Sequence, residues 1–362
     1  MIVNLFLFWR IGLFLIGFLG ATVFPKVENG ALGSEANGQF DYWLSWAQWD
    51  GGHYFDIATR GYLIDTDYAF FPLFPVLIKF TNNLTGGNTI TSGLLISNLA
   101  LLTFLFVLKK YAERISSKRE AQNIITTFLV FPTTFFAAAF YSESLFLLFV
   151  VATFLFLNER KYLPAAILAA LAGITRLVGI FLVLSLAYSY FATIKFQISK
   201  VNRKILHLTV ALFGFSSYAI YLWYKLNDPI RFLTVQSIWN RIVTDPISTI
   251  FSYLWRYITR QTIPINDFFD LATTLVFLII LILGRKKISS SLWIFSVLVI
   301  LIPASTGTLT SMPRYALSSL GAFVILGKFL EEKPWLKIPL WSVSLSTQAY
   351  LLVRFITGYW VA

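Results

Sequence analysis

Runs of about twenty mostly apolar residues recur from one end of this chain to the other, and each is long enough to cross a bilayer as a helix. Of 362 residues, 57% are hydrophobic and only 13% charged, about half the charge of an ordinary soluble domain. A water-soluble fold cannot hide so much apolar surface, whereas a bilayer accepts it. The fold class expected is therefore all-α, a polytopic transmembrane helical bundle forming one membrane domain over 1–362. The first span runs from about Leu5 to Phe24; it holds Arg10 and no clear small-residue cleavage site follows, so it reads as an anchor. Further spans are expected near 90–108, 121–140, 141–157, 163–174, 175–194, 205–225, 268–284, 291–306, 314–330 and 338–360. That makes about eleven, with 163–194 readable as one tilted helix or two short ones.

The net charge of +12 raises the question of nucleic acid, and its placement answers it. Lys109, Lys110, Arg114, Lys118 and Arg119 share one loop, Lys195, Lys200, Arg203 and Lys204 a second, Arg285, Lys286 and Lys287 a third, and Lys328, Lys333 and Lys337 a fourth. Short basic loops are cytoplasmic by the positive-inside rule, and no nucleic-acid face is needed to account for them. The other side carries two long segments, 26–89 and 226–266, the first with seven acidic residues against three basic ones. Long, acid-bearing loops place the working face outside the cytoplasm, at the plasma membrane. The absence of Cys excludes disulfides and thiolate metal sites, and two His residues exclude a His-rich cluster.

The first outer loop is the densest in chemistry-bearing residues. Its centre reads Trp49-Asp50-Gly51-Gly52-His53-Tyr54-Phe55-Asp56-Ile57-Ala58-Thr59-Arg60-Gly61-Tyr62. In a helix, Asp50, His53, Asp56 and Arg60 fall on one face. Trp43, Trp46 and Trp49, three apart, suit amphipathic helices lying in the interface. Asp50 sits beside Trp49 at a membrane boundary, where partial desolvation raises a carboxylate toward the range of a general base. Asp50 can equally be an N-cap, His53 a hydrogen-bonded structural residue, and Asp56 with Arg60 a surface pair. Ala69-Phe70-Phe71-Pro72-Leu73-Phe74-Pro75 follows, broken by two prolines, and reads as a re-entrant turn or as a rigid elbow leading into the next span.

Ionisable residues inside or beside spans are functional candidates by default. Glu143, Arg176 and Arg314 meet that description, and Glu143 with Arg176 can form a structural pair. The second outer loop carries Arg231, Arg241, Arg256 and Arg260, with Gln236 and Asn240 flanking Trp239. Arginine forks suit a phosphate, and Trp walls suit a sugar. Anchoring to lipid headgroups is the plainer use of the same arginines.

Trp49-Asp50-x-x-His53-Tyr54, then Ile57-Ala58-x-x-Gly61-Tyr62, then Ala69-Phe70-Phe71-Pro72-Leu73-Phe74-Pro75 form an ordered series that resembles the PIG-V family, GPI mannosyltransferase 2 and its prokaryotic relatives. Tyr141-Ser142-Glu143-Ser144, Thr175-Arg176 and Gln236 near Trp239-Asn240 resemble it more weakly. The resemblance implies a glycosyltransferase of the GT-C class, with a polyprenyl-phosphate sugar as donor and Asp50 in the catalytic-acid position of the first outer loop. Asp65 stands where the family pattern Gly-Tyr-x-x-Glu carries a longer acid. The acceptor, a glycan, glycolipid or protein, does not carry over from the resemblance.

The function expected is thus transfer of a sugar, mannose in the family, from a lipid-linked donor to an extracytoplasmic acceptor with inversion. Asp50 is the expected general base, with Trp49, His53, Asp56, Arg60, Asp65, Glu143, Arg176, Gln236, Trp239, Arg256, Arg260 and Arg314 around the substrates and Arg176, Arg256, Arg260 and Arg314 as candidates for the phosphate. No cofactor or metal is required, although Asp50, Asp65 and Asp67 are oxygen donors of the kind a hard cation takes. Membrane lipids and the donor are the expected partners. A transporter or flippase of a lipid-linked sugar is the alternative, disfavoured because the ionisable residues gather at the outer boundary rather than in mid-span. A non-enzymatic scaffold of an envelope complex would leave the clustered Trp, Asp, His and Arg without use.

Overall fold

The computed structural model describes residues 1–27, 40–259 and 264–361. Within them the chain is helical, with sixteen α-helices joined by short 3-10 turns and no strand. They are α1 (Ile2–Val23), α2 (Asp50–Arg60), α3 (Leu73–Asn82), α4 (Thr89–Ile115), α5 (Lys118–Leu129), α6 (Glu143–Asn158), α7 (Tyr162–Gly173), α8 (Phe181–Thr193), α9 (His207–Leu226), α10 (Arg231–Thr234), α11 (Pro246–Ile258), α12 (Ile265–Leu283), α13 (Ser290–Ala304), α14 (Met312–Ala316), α15 (Leu320–Glu332) and α16 (Lys337–Ile356). Lipid offers backbone groups no partners, so helices with internally closed hydrogen bonds are the form such apolar sequence must take.

Among the described residues, four helical stretches are long and apolar enough to cross a membrane alone, Ile2–Val23, Thr89–Ile115, Arg203–Leu226 and Ile265–Leu283, and they make this an integral membrane protein. The remaining apolar helices are shorter, so the eleven expected passes are not matched one for one by long helices. Two of the expected spans are broken. The stretch 121–140 is helical only to Leu129 and then passes through Phe131-Pro132 into a 3-10 turn at Thr134–Ala138. The stretch 314–330 is interrupted between Ala316 and Leu320. The ambiguous 163–194 is two helices, α7 and α8, with Thr175 and Arg176 in the break between them.

Side-chain size sets how closely these helices approach. A Cβ on Gly214 of α9 would lie 1.8 Å from the carbonyl oxygen of Ala170 on α7. A Cβ on Gly93 of α4 would lie 2.0 Å from the Phe140 ring. Glycine at a helix contact lets backbones meet where van der Waals packing, not hydrophobic exclusion, holds helices together. Capping is explicit at the solvated ends: Ser117 and Glu120 form a capping box on α5, and Asp245 accepts from Ser248 N–H ahead of Pro246 on α11.

Ion pairs join the basic loops to one another. Glu159 takes Arg114 and Lys161, Glu331 takes Arg119 and Lys337, and Glu332 takes Lys287. These pairs bring three of the four basic clusters to one end of the bundle, and the Tyr162 Oη bond to the Ser189 carbonyl brings the chain leading to the fourth to the same end. The N-terminus of α6, the break after α7 and the short helix α14 lie away from these loops and carry the buried charges described next.

Candidate functional site

The turn that enters α2 is driven deep into the bundle. Tyr42 Oη donates to the Phe14 carbonyl of α1 at 2.7 Å, and Arg10 of α1 lies 4.2 Å over the Trp46 ring. Trp46 is fully buried, while Trp43 remains partly exposed and Trp49 packs edge-on against Trp360. The three tryptophans thus do not share the single interfacial face that their spacing suggested. Arg10 needs a partner inside a span and finds the indole face and Asn98 Oδ1, 2.9 Å from its Nε.

Trp49 then takes φ 57°, a left-handed conformation uncommon for a bulky residue, and α2 begins at Asp50. Backbone strain stored one residue before a carboxylate is characteristic of a site whose surroundings dictate its geometry. Gly51 follows in close contact with Ala47, the Phe140 carbonyl and the Tyr141 ring, where a Cβ would lie 3.3 to 3.6 Å from its neighbours. The helix start is therefore pressed against the 130–142 segment, and Tyr141 Oη locks it by donating to the Gln48 carbonyl at 2.6 Å.

Four charges form a continuous chain here. Arg314 Nη1 stands 2.8 Å from Asp50 Oδ2, and its Nη2 stands 2.9 Å from Glu143 Oε1. Arg176 Nη1 approaches the same Glu143 oxygen at 2.6 Å. Glu143 is 3% exposed and the Arg176 side chain 14%, whereas the Asp50 side chain keeps 25%, so Asp50 is the most exposed of the four. Two carboxylates and two guanidiniums compensate one another, which is the condition for burying charge at all. Tyr54 Oη and Ser142 Oγ, 2.7 Å apart, close one flank, and the Phe136 and Tyr141 rings, themselves in edge-on contact, each lie 4.9 Å from the guanidinium carbon of Arg314.

Arg314 owes its position to α14. Ser311 takes φ 71° to start that helix, Asp270 Oδ1 accepts the Met312 N–H at 3.0 Å, and Thr133 Oγ1 donates to the Pro313 carbonyl at 2.8 Å. The partnership corrects the expected electrostatics of Asp50. Burial alone would raise its carboxyl, but Arg314, with smaller help from His53 and Arg176, holds it below the usual aspartate value. Asp50 is therefore ionised at neutral pH.

His53 faces elsewhere: its Nδ1 is 2.9 Å from Asp67 Oδ1 and its ring stacks on Phe70 with centroids 4.5 Å apart. The other Asp67 oxygen accepts the N–H groups of Leu63 and Ile64. Burial pushes the Asp67 carboxyl up, and His53 with those two amides brings it below the usual range. Trp239 meets both His53 and Phe70 edge-on at 6.4 Å, which joins the two outer loops above Asp50's helix. Phe71 enters an aromatic cluster with Tyr218 and Phe232, and Pro72 caps α3, so the proline-broken motif opens a ten-residue helix that precedes the next span rather than the span itself.

Several residues expected around the substrates hold ion pairs. Asp56 and Arg60 pair on the exposed side of α2, Asp65 pairs with Arg231 at 2.5 Å, and Arg256 with Asp267 at 2.8 Å. Asp50, Asp65 and Asp67 consequently do not meet, each being held by a different cation or imidazole, and no group of three or more His, Asp or Glu placed to hold a metal occurs among the described residues. Arg260 lies outside the described residues.

Arg241, not among the expected site residues, reaches the site. Its Nη1 bonds Gln236 Oε1 at 3.2 Å and Tyr315 Oη at 2.9 Å, and its Nη2 bonds the Thr310 carbonyl at 3.5 Å. All three partners are neutral. Tyr315 neighbours Arg314 in sequence and feels the charges of Arg241, Arg176 and Arg314 together. The sequence signal for Arg241 was its place five residues after Gln236, beside Trp239-Asn240.

Comparison with known proteins gives a fold and a family. The crystal structure of ArnT from Cupriavidus metallidurans bound to undecaprenyl phosphate, a GT-C neighbour, superposes with a TM-score of 0.54 at 14% identity, covering 90% of this chain and 60% of that one. At that identity the likeness is one of fold. GPI mannosyltransferase 2 of Schizosaccharomyces pombe is 26% identical over 218 residues, 56% of this chain and 46% of that protein. GPI alpha-1,6-mannosyltransferase 2 of Mus musculus is 32% identical over 145 residues, 37% of this chain and 29% of that protein. In both cases the match spans less than half the relative's length. The family model for Mannosyltransferase (PIG-V) matches residues 24–223, more than half of the chain, and the chain belongs to that family.

Proposed function

We propose that this protein is a glycosyltransferase that moves a sugar, mannose in the first instance, from a polyprenyl-phosphate donor to an acceptor hydroxyl at the extracytoplasmic face of the plasma membrane. The reading rests on one observation above all: an ionised, partly exposed Asp50 held by Arg314 at the head of a buried charge chain, in a chain of the PIG-V family. Asp50 takes the proton of the acceptor hydroxyl. The acceptor oxygen bonds to the anomeric carbon from the face opposite the phosphate, and the carbon–oxygen bond to phosphate breaks with its electron pair. Configuration inverts and polyprenyl phosphate leaves. No cofactor beyond the donor is called for.

Charge balance favours Arg241 for the donor phosphate. Arg176 and Arg314 are ion-paired with Glu143 and Asp50, whereas the hydrogen bonds of Arg241 go to neutral groups, with Asp270 the carboxyl whose charge it feels, so among the described residues it carries no ion pair that an incoming anion must break. A cation fixed in a site of low dielectric stabilises the leaving phosphate more than one in water. Trp239 and His53, in contact above α2, offer the apolar wall for the sugar.

The test is transfer from radiolabelled polyprenyl-phosphate mannose to membrane lipid extract by purified protein in nanodiscs. General-base action contributes about 10²–10⁴-fold, so Asp50→Asn is expected to lose turnover in that range while still binding donor. Full activity in Asp50→Asn removes Asp50 from the reaction. Movement of intact donor across a liposome bilayer, without transfer, establishes a flippase instead.

A further inference from the structure

Helix α11 in the second outer loop has three sides rather than two. Thr249 and Tyr253 are buried, and Ile250, Leu254 and Tyr257 pack against the core, so one arc faces the protein. Ile247, Phe251, Trp255 and Ile258 are each more than half exposed. At about 100° per residue, these four occupy one arc of about 80°. Ser248, Ser252, Arg256 and Thr259 fill the third arc. A helix in bulk water has no reason to hold a contiguous large-residue apolar arc outside its protein contact. A helix against a second protein has no reason to separate its exposed surface into an apolar arc and a hydroxyl-and-guanidinium arc meeting along its length. A helix at a bilayer surface needs both, acyl chains on one and headgroups and water on the other.

The neighbours carry the same apolar surface onward. α11 packs on α12 and α13, and α12 is one of the helices able to span, with Ile265, Phe268, Val276 and Ile279 exposed along it. The apolar arc of α11 thus continues a surface that already faces lipid.

We infer that α11 lies in the outer leaflet of the membrane, its Ile247–Phe251–Trp255–Ile258 face among phospholipid acyl chains and its Ser248–Ser252–Thr259 face among the headgroups, with Arg256 held at the edge of that face by Asp267. This bilayer seat is tied to the site loop. Tyr253 Oη is 3.1 Å from Thr308 Oγ1 and accepts the Leu309 N–H at 3.2 Å, one residue before the Thr310 carbonyl that accepts from Arg241. The lipid surface therefore sets the height at which the 305–311 loop holds its residues. The inference does not depend on the reaction the protein performs.

The chain has no Cys, so single labelled thiols report position directly. Phe251→Cys, Ile247→Cys and Ser252→Cys, all at exposed positions, are each labelled with an environment-sensitive fluorophore in nanodiscs of phosphatidylcholine and phosphatidylglycerol. The labels at 251 and 247 are expected to be quenched severalfold more by lipids carrying a nitroxide high on the acyl chain than by aqueous iodide, with the order reversed at 252. Equal quenching of all three by iodide overturns the inference, because the helix then stands in water. Shielding of 251 and 247 from both quenchers, with disulfide cross-linking of Phe251→Cys between copies, overturns it in favour of a second copy of this chain.

Discussion

Arg314 is the residue through which the site is assembled, because one guanidinium holds a carboxylate from α2 and another from the head of α6. Since Arg314 holds Asp50 below the ordinary aspartate value, the base form persists to low pH and is lost only as pH falls through that depressed value. Arg314→Lys keeps a charge but not the fork, so burial regains weight and the Asp50 carboxyl rises. The acid limb of the kcat/KM profile is expected to move to higher pH, and an unmoved limb would separate Asp50 from the protonation that limits the reaction. Glu143 makes a stability prediction instead. It is 3% exposed and serves both Arg176 and Arg314, so Glu143→Gln leaves two guanidiniums short of an anion. Breaking a buried pair costs roughly 3–5 kcal/mol, which thermal unfolding in detergent will show as a marked drop in Tm.

At the scale of elements, two features position the charges. Ser311 at φ 71° starts α14, a conformation that glycine adopts freely and a β-branched residue does not. Ser311→Gly is expected to keep activity, whereas Ser311→Val should cost about 1–3 kcal/mol and lower kcat through displacement of Arg314. The contact of α7 with α9 depends on Gly214, against which the Ala170 carbonyl packs. Overpacking typically costs about 1–3 kcal/mol, and Gly214→Ala is expected at least at that level because the obstructing atom is backbone. A Gly214→Ala protein with an unchanged melting profile would mean that the two helices are free to separate.

For the whole molecule, the side of the membrane on which the site lies is the property to test. Three of the four basic loops are joined at one end through Glu159, Glu331 and Glu332, and the positive-inside rule assigns that end to the cytoplasm. In intact cells, Arg60→Cys is expected to react with a membrane-impermeant maleimide and Lys286→Cys only after permeabilisation. The reverse pattern would turn the site inward and remove the proposed extracytoplasmic donor.

The amino-acid sequence by itself determined the solvent of this protein, since charge so sparse and apolar runs so long leave only the bilayer. It also singled out Trp49-Asp50, because a local motif needs no knowledge of distant chain, and it raised the pairing of Glu143 at the head of α6 with Arg176 just past the end of α7, the helix that follows. Local pattern could not tell an apolar run that stays helical from one that breaks, so 121–140 and 314–330 read as spans although α5 ends at Leu129 and α14 stops at Ala316. The tryptophan spacing misled in the same way, because whether Trp46 faces lipid or Arg10 depends on how deep its turn is drawn into α1. Only the tertiary structure decided that Arg314 meets Asp50, that Asp56, Asp65 and Arg256 hold ion pairs of their own, and that Arg241 hydrogen-bonds Tyr315, the residue after Arg314. The physical reason is that a charge acts according to its nearest partner in space, and for buried charges from separate helices that partner is chosen by the packing of the whole bundle.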